Sequence, residues 1–447
     1  MTPSGMTSMD QRSGPSRAYV AYVVTLLFLV NAANYGQRMI VAILVPDIQA
    51  DIALSDGQLG VLMGGVFALF YAVAGVPLAR LGDRTVRRTF LAGALAFWSA
   101  ATGVFAVAQT FTHMLVARMA LGIGESVCIP TSHSLLTDYV AKENRPFAFG
   151  LYSTGGAAGA TLCLVVGGYL TTTAGWRNAL LFAAAPGFIL ALVIYTTMRE
   201  PKRTSDGAHD RNTNPVPLAE VVRHLMSSRS YVLILTAICF GMLVEFGTNQ
   251  WLPSYYVRQF GLSVAEVGFE YGLAVAIGGI PGSIAGGLVA NKLMRRDVRW
   301  LVWFPAAMYS VALPIGLSML LAESAQTALI LNGLYSFAIF ATNGAFWAGC
   351  FIAVPTMMRA TTSAITLLVG GVTGVALGPM LVGGISDALA ARAGAHSLQI
   401  SLVCIESLAV LVVVALLWAG RFMKGDVDRH QSNTALQPAT PANPSAA

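Results

Sequence analysis

Two arginines and a glutamate stand inside stretches of sequence otherwise suited to hydrocarbon, and they are the residues best placed to do chemistry. Arg38 falls eight residues before Pro46, near the end of one apolar run, and Arg118 falls near the start of another. At helical rise they lie roughly 12 and 9 Å below the same membrane surface, so their depths are comparable. Glu125 follows Arg118 by seven residues, two turns along one helix face and roughly 20 Å in. Charged groups at such depth are costly and mark ion or substrate paths by default. Desolvation favours a neutral carboxyl and a nearby guanidinium a charged one; a carboxyl held between the two can load and release a proton. A permanent Arg–Glu pair that only locks helices together is the competing reading.

Asn31, Asn34 and Arg38 are spaced by three and four, with Gln37 alongside, a polar stripe that should face a bundle interior rather than lipid. Either substrate contact or bonding between helices would account for the asparagines. Glu245 sits mid-way along a later apolar run, with Asn249 one turn on. Tyr152, Trp251, Asn343 and Trp347 are further candidates to line the same cavity, although membrane aromatics also serve as packing and interface anchors. Glu270, close to an interface, and Glu406, on a last helix expected at the periphery, support no site.

The elements that must position these groups follow from composition. Hydrophobic residues make up 55% of the 447, charged residues 11%, and the mean hydropathy is +0.66, whereas a soluble domain carries about a quarter charged residues. Spans of roughly 20 apolar residues cross a bilayer. Twelve are expected, near 19–45, 57–80, 89–109, 112–138, 147–172, 178–198, 231–257, 265–290, 299–322, 327–354, 361–386 and 398–420. Residues 1–18 form an N-terminal tail, 19–198 a six-helix bundle, 199–230 a linker, 231–420 a second six-helix bundle and 421–447 a disordered tail. Within the linker, Leu218 to Met226 suits a short amphipathic surface helix. The glycines of spans 5 and 11 suit close helix packing, and Pro379 marks a kink.

The net charge of +6 needs no nucleic acid to explain it. With both termini in the cytoplasm, 22 of the 27 Lys and Arg fall on cytoplasmic segments, leaving Arg177, Arg258 and Arg392 outside and Arg38 and Arg118 within spans; the positive-inside rule fixes that orientation. The polar first 17 residues precede a span too long for a signal-peptide core, so no cleavable segment is expected. The five cysteines all fall in spans and receive no role.

A seven-residue loop occurs twice, as Gly82-Asp83-Arg84-Thr85-Val86-Arg87-Arg88 and, degraded, 208 residues later as Ala290-Asn291-Lys292-Leu293-Met294-Arg295-Arg296. Such a repeat, flanked by apolar runs, reads as two homologous membrane bundles. The same offset places Glu245 on Gln37. No nucleophile elbow, HExxH, Walker loop or clustered metal ligands occur, so no enzyme, cofactor or metal site is expected, and ATP is not the direct driving force.

The loop Gly82-Asp83-Arg84-x-x-Arg87-Arg88 resembles the signature of the major facilitator superfamily, and Arg118-x-x-x-Gly122-x-Gly124 resembles its second motif. Asn34-Tyr35-x-x-Arg38, Pro46-Asp47-Ile48, Gly122-Ile123-Gly124-Glu125 and Trp176-Arg177 resemble the Spinster branch and its bacterial relatives. That resemblance implies the all-α major facilitator fold: twelve spans in two pseudo-symmetric bundles, alternating access, and a central cavity lined by spans 1, 4, 7 and 10. It also implies proton-coupled movement of lysolipids or other amphiphilic organic molecules. Arg38 and Glu125 fall on matching positions. The family's acid before the span 1 arginine is Gln37 here and cannot titrate, leaving Glu125 or Glu245 as proton carrier. By the same resemblance Asp83 and Arg87 hold a cytoplasmic gate closed, with Asp138 as partner and Gly82, Arg84 and Arg88 completing the loop.

The sequence therefore reads as a monomeric bacterial inner-membrane carrier of a small organic anion or lysolipid-like molecule, coupled to protons. Asn34, Gln37, Arg38, Arg118, Tyr152 and Asn249 are its expected substrate contacts. An uncoupled uniporter or exporter of lipids or drugs, and a sensor of the same fold that moves nothing, are the alternatives.

Overall fold

The computed structural model describes residues 16–82, 84–141, 144–201, 217–352, 354–355 and 358–435. Among these the chain is helical, with no strand. Spans 1 to 6 are Arg17–Asp51, Asp56–Gly82, Arg87–Ala106, Phe111–Tyr139, Arg145–Ala174 and Trp176–Thr197. Spans 7 to 10 are Arg229–Phe260, Val264–Met294, Trp300–Leu320 and Ala325–Phe351. Residues 359–393 form span 11, and a turn at Gly394, whose φ is +54°, folds the helix from 397 back against it as span 12. The expected count of twelve is observed. Span 1 runs on past Pro46 to Asp51, so Arg38 sits deeper than a helix ending at that proline would place it.

The amphipathic linker helix is present as Leu218–Ser227, burying Val221 and Leu225 against Tyr231 and Val354. The final helix reaches Ala435, beyond the point where composition suggested disorder. No proline interrupts it before Pro438, and the Asp426 carboxylate accepts bonds from the Ser230 amide and hydroxyl at 2.9 and 2.7 Å, pinning it to the start of span 7. The early N-terminal tail, residues 202–216 and the last twelve residues lie outside the described residues.

Spans 1–6 pack on one another as one bundle and spans 7–12 as the other. Small residues set the closest approaches, as the glycine content of span 5 implied. A Cβ on Gly159 would lie 2.0 Å from the Ala32 carbonyl of span 1, and one on Gly268 of span 8 would lie 2.4 Å from the Leu164 carbonyl of span 5. Ile277, Ile280, Ile284 and Leu288 project outward on one face of span 8, a stripe suited to lipid contact.

The start of span 1 and the end of span 12 lie at one face, here the terminal face; the opposite face is the distal face. Apolar packing differs between them. Toward the terminal face each bundle has its own core, built around Leu27, Leu95 and Trp98 in one and Tyr309, Tyr335 and Leu416 in the other. Toward the distal face a single core runs through both, joining Ile43 and Leu59 to Trp251, Tyr255 and Leu402. The bundles are closed against each other distally.

Candidate transport site

Arg38 and Glu125 are brought together. The Arg38 Nη2 and Nε donate to Glu125 Oε2 at 2.9 and 3.1 Å, and the arginine side chain is 12% exposed while the glutamate is wholly buried. The rings of Tyr35, Phe67 and Tyr71 surround the guanidinium with centroids 5.0, 4.7 and 5.4 Å away, an arrangement that stabilises a cation through the ring faces. Span 4 breaks just after Glu125: one helix ends there, Ser126 caps it, and helix resumes at Cys128. The C-terminal end of the first segment thus lies beside the carboxylate, an end that favours a nearby cation. Glu125 Oε1 has no hydrogen-bond partner among the described residues.

Arg118 does something the sequence did not reveal. Span 2 winds as a π-helix over Val61–Gly65, a geometry that disturbs the normal backbone ladder. The Arg118 Nε and Nη2 donate to the Leu62 and Met63 carbonyls there, at 2.8 and 3.1 Å. Glu125 is therefore bonded to span 1 while Arg118, though two turns away on the same span, reaches span 2. At 1% exposure Arg118 is sealed off in this conformation.

Three other expected contacts are likewise turned inward. Gln37 accepts from the Thr102 hydroxyl at 2.8 Å and donates to the Ala183 carbonyl at 3.0 Å, tying span 1 to spans 3 and 6. Tyr152 is buried, its carbonyl accepting from Asn31 at 2.8 Å. Asn34 is fully buried, and neither of its side-chain amide atoms has a partner among the described residues. A void of about 10 Å³ between Gln37, Thr102 and Arg118 has room for roughly one water. Only Arg38 and Asn249 of the six keep some exposure; the Tyr271 hydroxyl approaches the Asn249 carbonyl and side-chain oxygens at 3.4 Å.

A distal latch escaped sequence reading altogether. The Asp56 carboxylate, at the start of span 2, accepts from both terminal nitrogens of Arg258 at 2.7 and 2.8 Å and from the Ser386 hydroxyl at 2.7 Å. Asp387 returns the contact, its two oxygens accepting the Asp56 and Gly57 amides at 2.9 and 2.8 Å, which satisfies donors left free at a helix start. Below it the π-segments of spans 2 and 11 touch: a Cβ on Gly64 would stand 2.2 Å from the Val375 carbonyl. Gln49 of span 1 joins the latch, its side-chain oxygen accepting from Arg258 at 2.7 Å. Its sequence signal was Arg258, one of three exceptions to the charge asymmetry. Arg177, another exception, pairs with Asp51.

At the terminal face Arg87 ties three helix ends of one bundle. It donates to Asp138 at 2.5 Å, to Glu200 at 2.9 Å and to the Ser134 hydroxyl at 2.8 Å. Arg88 adds its amide to Glu200 at 3.0 Å and its guanidinium to the Met198 carbonyl at 2.8 Å. Arg84 is exposed on the turn, and Gly82 is buried, with Phe90 and Thr131 close enough to meet a Cβ there. Asp83 lies outside the described residues. Arg87 and Asp138 are brought together, and Glu200, read as linker, is part of the clamp.

Glu406 corrects another expectation. It is 1% exposed inside the C-terminal bundle rather than peripheral, and its Oε2 accepts from Tyr335 at 3.2 Å and Thr248 at 3.3 Å. Glu245, partly exposed on span 7, has no hydrogen bond or ion pair among the described residues.

The Major Facilitator Superfamily model matches residues 27–379. The chain is 28% identical to an MFS-type efflux pump of Mycolicibacterium smegmatis, covering 92% of this chain and 94% of that one. It is 26% identical to the hexuronate transporter of Bacillus subtilis, over 87% and 93%. Among solved structures, a bacterial homologue of the human lysosomal transporter Spinster, inward-facing and unoccupied, superposes with a TM-score of 0.83 at 25% identity, over 92% of this chain and 99% of that one. The twelve-span fold, the paired bundles closed at one face and these matches agree: the chain belongs to the major facilitator superfamily, as a Spinster-like integral membrane transporter.

Proposed function

We propose that the protein is a proton-coupled carrier of a small amphiphilic organic anion, with the Arg38–Glu125 pair as its exchange point. The observation that carries this reading is the asymmetry of the pair: Arg38 is partly exposed inside a cage of rings, and its counter-ion Glu125 is wholly buried with one oxygen unbonded. An anion arriving at Arg38 competes with Glu125 for the guanidinium. A proton on Glu125 removes the competitor, so each ligand raises the affinity for the other by the same factor. The aromatic cage supplies apolar contact for the rest of the substrate. Gln37, bonded to spans 3 and 6, holds the bundle together and takes no proton. Asn249 is a second substrate contact from the facing bundle.

With basic residues concentrated at the terminal face, that face is cytoplasmic in a bacterial inner membrane, and this conformation opens inward. The latch of Asp56, Arg258 and Asp387 is the outer gate that must break for the substrate site to face outward.

Transport by purified protein in liposomes, under an imposed pH gradient and across organic acids and lysolipids, tests the reading. Glu125→Gln should abolish uphill accumulation while sparing exchange; undiminished uphill transport would remove the proton role. Likeness to an efflux pump favours a second reading, an uncoupled exporter of hydrophobic molecules in which the pair is a permanent lock. There the variant would lose thermal stability and keep its transport.

A further inference from the structure

The C-terminal bundle holds a buried carboxyl that the exchange at Arg38 does not use. Glu406 sits among spans 7, 9, 10 and 12, its Oε2 taking both the Tyr335 and Thr248 hydroxyls. Its Oε1 lies so close to span 9 that a Cβ on Gly316 would stand 2.7 Å away. The titratable groups around it are Glu245 on span 7, Tyr309 on span 9 and Tyr335 on span 10, with Tyr271 of span 8 on the far side of Glu245. Among the described residues Glu406 has no ion-pair partner, and both of its hydrogen bonds come from hydroxyls. No cation balances Glu406.

A route to it is visible on span 7. Gly241, Glu245 and Thr248 are spaced by four and three, so they share one helix face. The Tyr309 hydroxyl lies against Gly241, where a Cβ would be 2.8 Å from it, and Thr248 bonds Glu406. Glu245 therefore stands on the row between the Tyr309 hydroxyl and Glu406, and is itself partly exposed.

We propose that Glu406 is a second proton-binding site, in the bundle opposite Glu125, reached from the cavity through Glu245 and the Tyr309 and Tyr335 hydroxyls. A carboxylate in hydrocarbon without a counter-ion is expensive, and the neutral acid is not. A metal ion is disfavoured, because Glu406, Thr248 and Tyr335 together offer four side-chain oxygens where hard divalent cations take about six or more. The proton bears on transport because Thr248 and Tyr335 belong to two spans that the family's architecture places around the cavity, and both bond one oxygen. Span 7 is held tightly at this point: a Cβ on Gly247 would meet Ile405 of span 12 and Gly378 of span 11 at 3.2 and 3.3 Å.

The inference deepens the proton-coupled reading and rests on it for its role in transport, while proton binding can be measured separately. Infrared difference spectra of the purified full-length protein, titrated in pH, should show the carbonyl stretch of a protonated carboxylic acid. That band should survive in Glu125→Gln and disappear in Glu406→Gln. Should Glu406→Gln not fold, Tyr335→Phe and Thr248→Val keep the acid and should each shift the band. A Glu406→Gln spectrum identical to the parent, bands unmoved by the hydroxyl variants, or a band that responds to sodium rather than pH would each overturn the site. If the band behaves as expected but the parent protein shows no pH-driven uptake, the proton site stands and the coupled-carrier reading falls.

Discussion

The two bundles share a fold but balance the charges in their interiors in opposite ways. The N-terminal bundle buries two guanidiniums and one carboxylate, and each guanidinium is met differently: Arg38 by Glu125, Arg118 by the carbonyls of a π-turn. The C-terminal bundle buries Glu406 in its interior with only the Thr248 and Tyr335 hydroxyls bonded to it among the described residues. Pseudo-symmetry thus preserves backbone packing while leaving side-chain chemistry free to diverge. On the proposed reading, the N-terminal half holds the anion and the proton that competes with it, and the C-terminal half holds a second proton.

The largest effect should come from Arg118→Met. It leaves two backbone carbonyls of span 2 without charged donors inside the membrane, and unsatisfied buried groups cost about 1–3 kcal/mol each. The variant should therefore lose about 3 kcal/mol in detergent unfolding measurements. A loss well under 1 kcal/mol would mean that the carbonyls find other partners, and the contrast between the two arginines would collapse.

Arg38→Gln sharpens the same contrast through binding. Calorimetry should show at least a tenfold weaker anionic substrate, about 1.4 kcal/mol, with a neutral analogue nearly unaffected. Equal losses for both ligands would make Arg38 a helix lock like Arg118.

What could be read from sequence follows from how local each cause is. Arg38 and Glu125 were legible because any charge in an apolar span advertises itself, and Arg87 because the loop motif is contiguous, whereas its partner Asp138 came only with the family resemblance. The destination of Arg118 was not, since it depends on a π-turn more than fifty residues away in span 2. Glu406 was misplaced because periphery was inferred from span order, whereas burial depends on which face of the last helix meets Tyr335. Arg258 needed only the question of why a basic residue lies on the wrong side, but its partners Asp56 and Asp387 come from remote spans.

Where the bundles meet, effects should be smaller. Asp56→Asn weakens the bonds to Arg258, whose side chain is 27% exposed, so solvent already screens part of the interaction. A cost of about 1 kcal/mol to the closed distal face, roughly a fivefold population shift, should appear as faster labelling of cysteines engineered in the distal halves of spans 1 and 7. Unchanged labelling would leave the apolar core, rather than the latch, as what holds that face shut.

The smallest effect tests the repeated loop. Arg87 and Arg295 occupy matching positions 208 residues apart, yet Arg87 is buried among Asp138, Glu200 and Ser134 while Arg295 is exposed, with no partner among the described residues. Near the second copy the acid available, Asp297, is engaged by Arg299, which holds its carboxyl below the usual range. Arg295→Gln should accordingly change unfolding stability by less than about 0.5 kcal/mol, as surface substitutions do, whereas Arg87→Gln, which removes bonds to two carboxylates, should cost about 2 kcal/mol. Equal losses in the two variants, measured side by side, would mean that the second copy forms a clamp in another conformation and that the bundles are more alike at the terminal face than in their interiors.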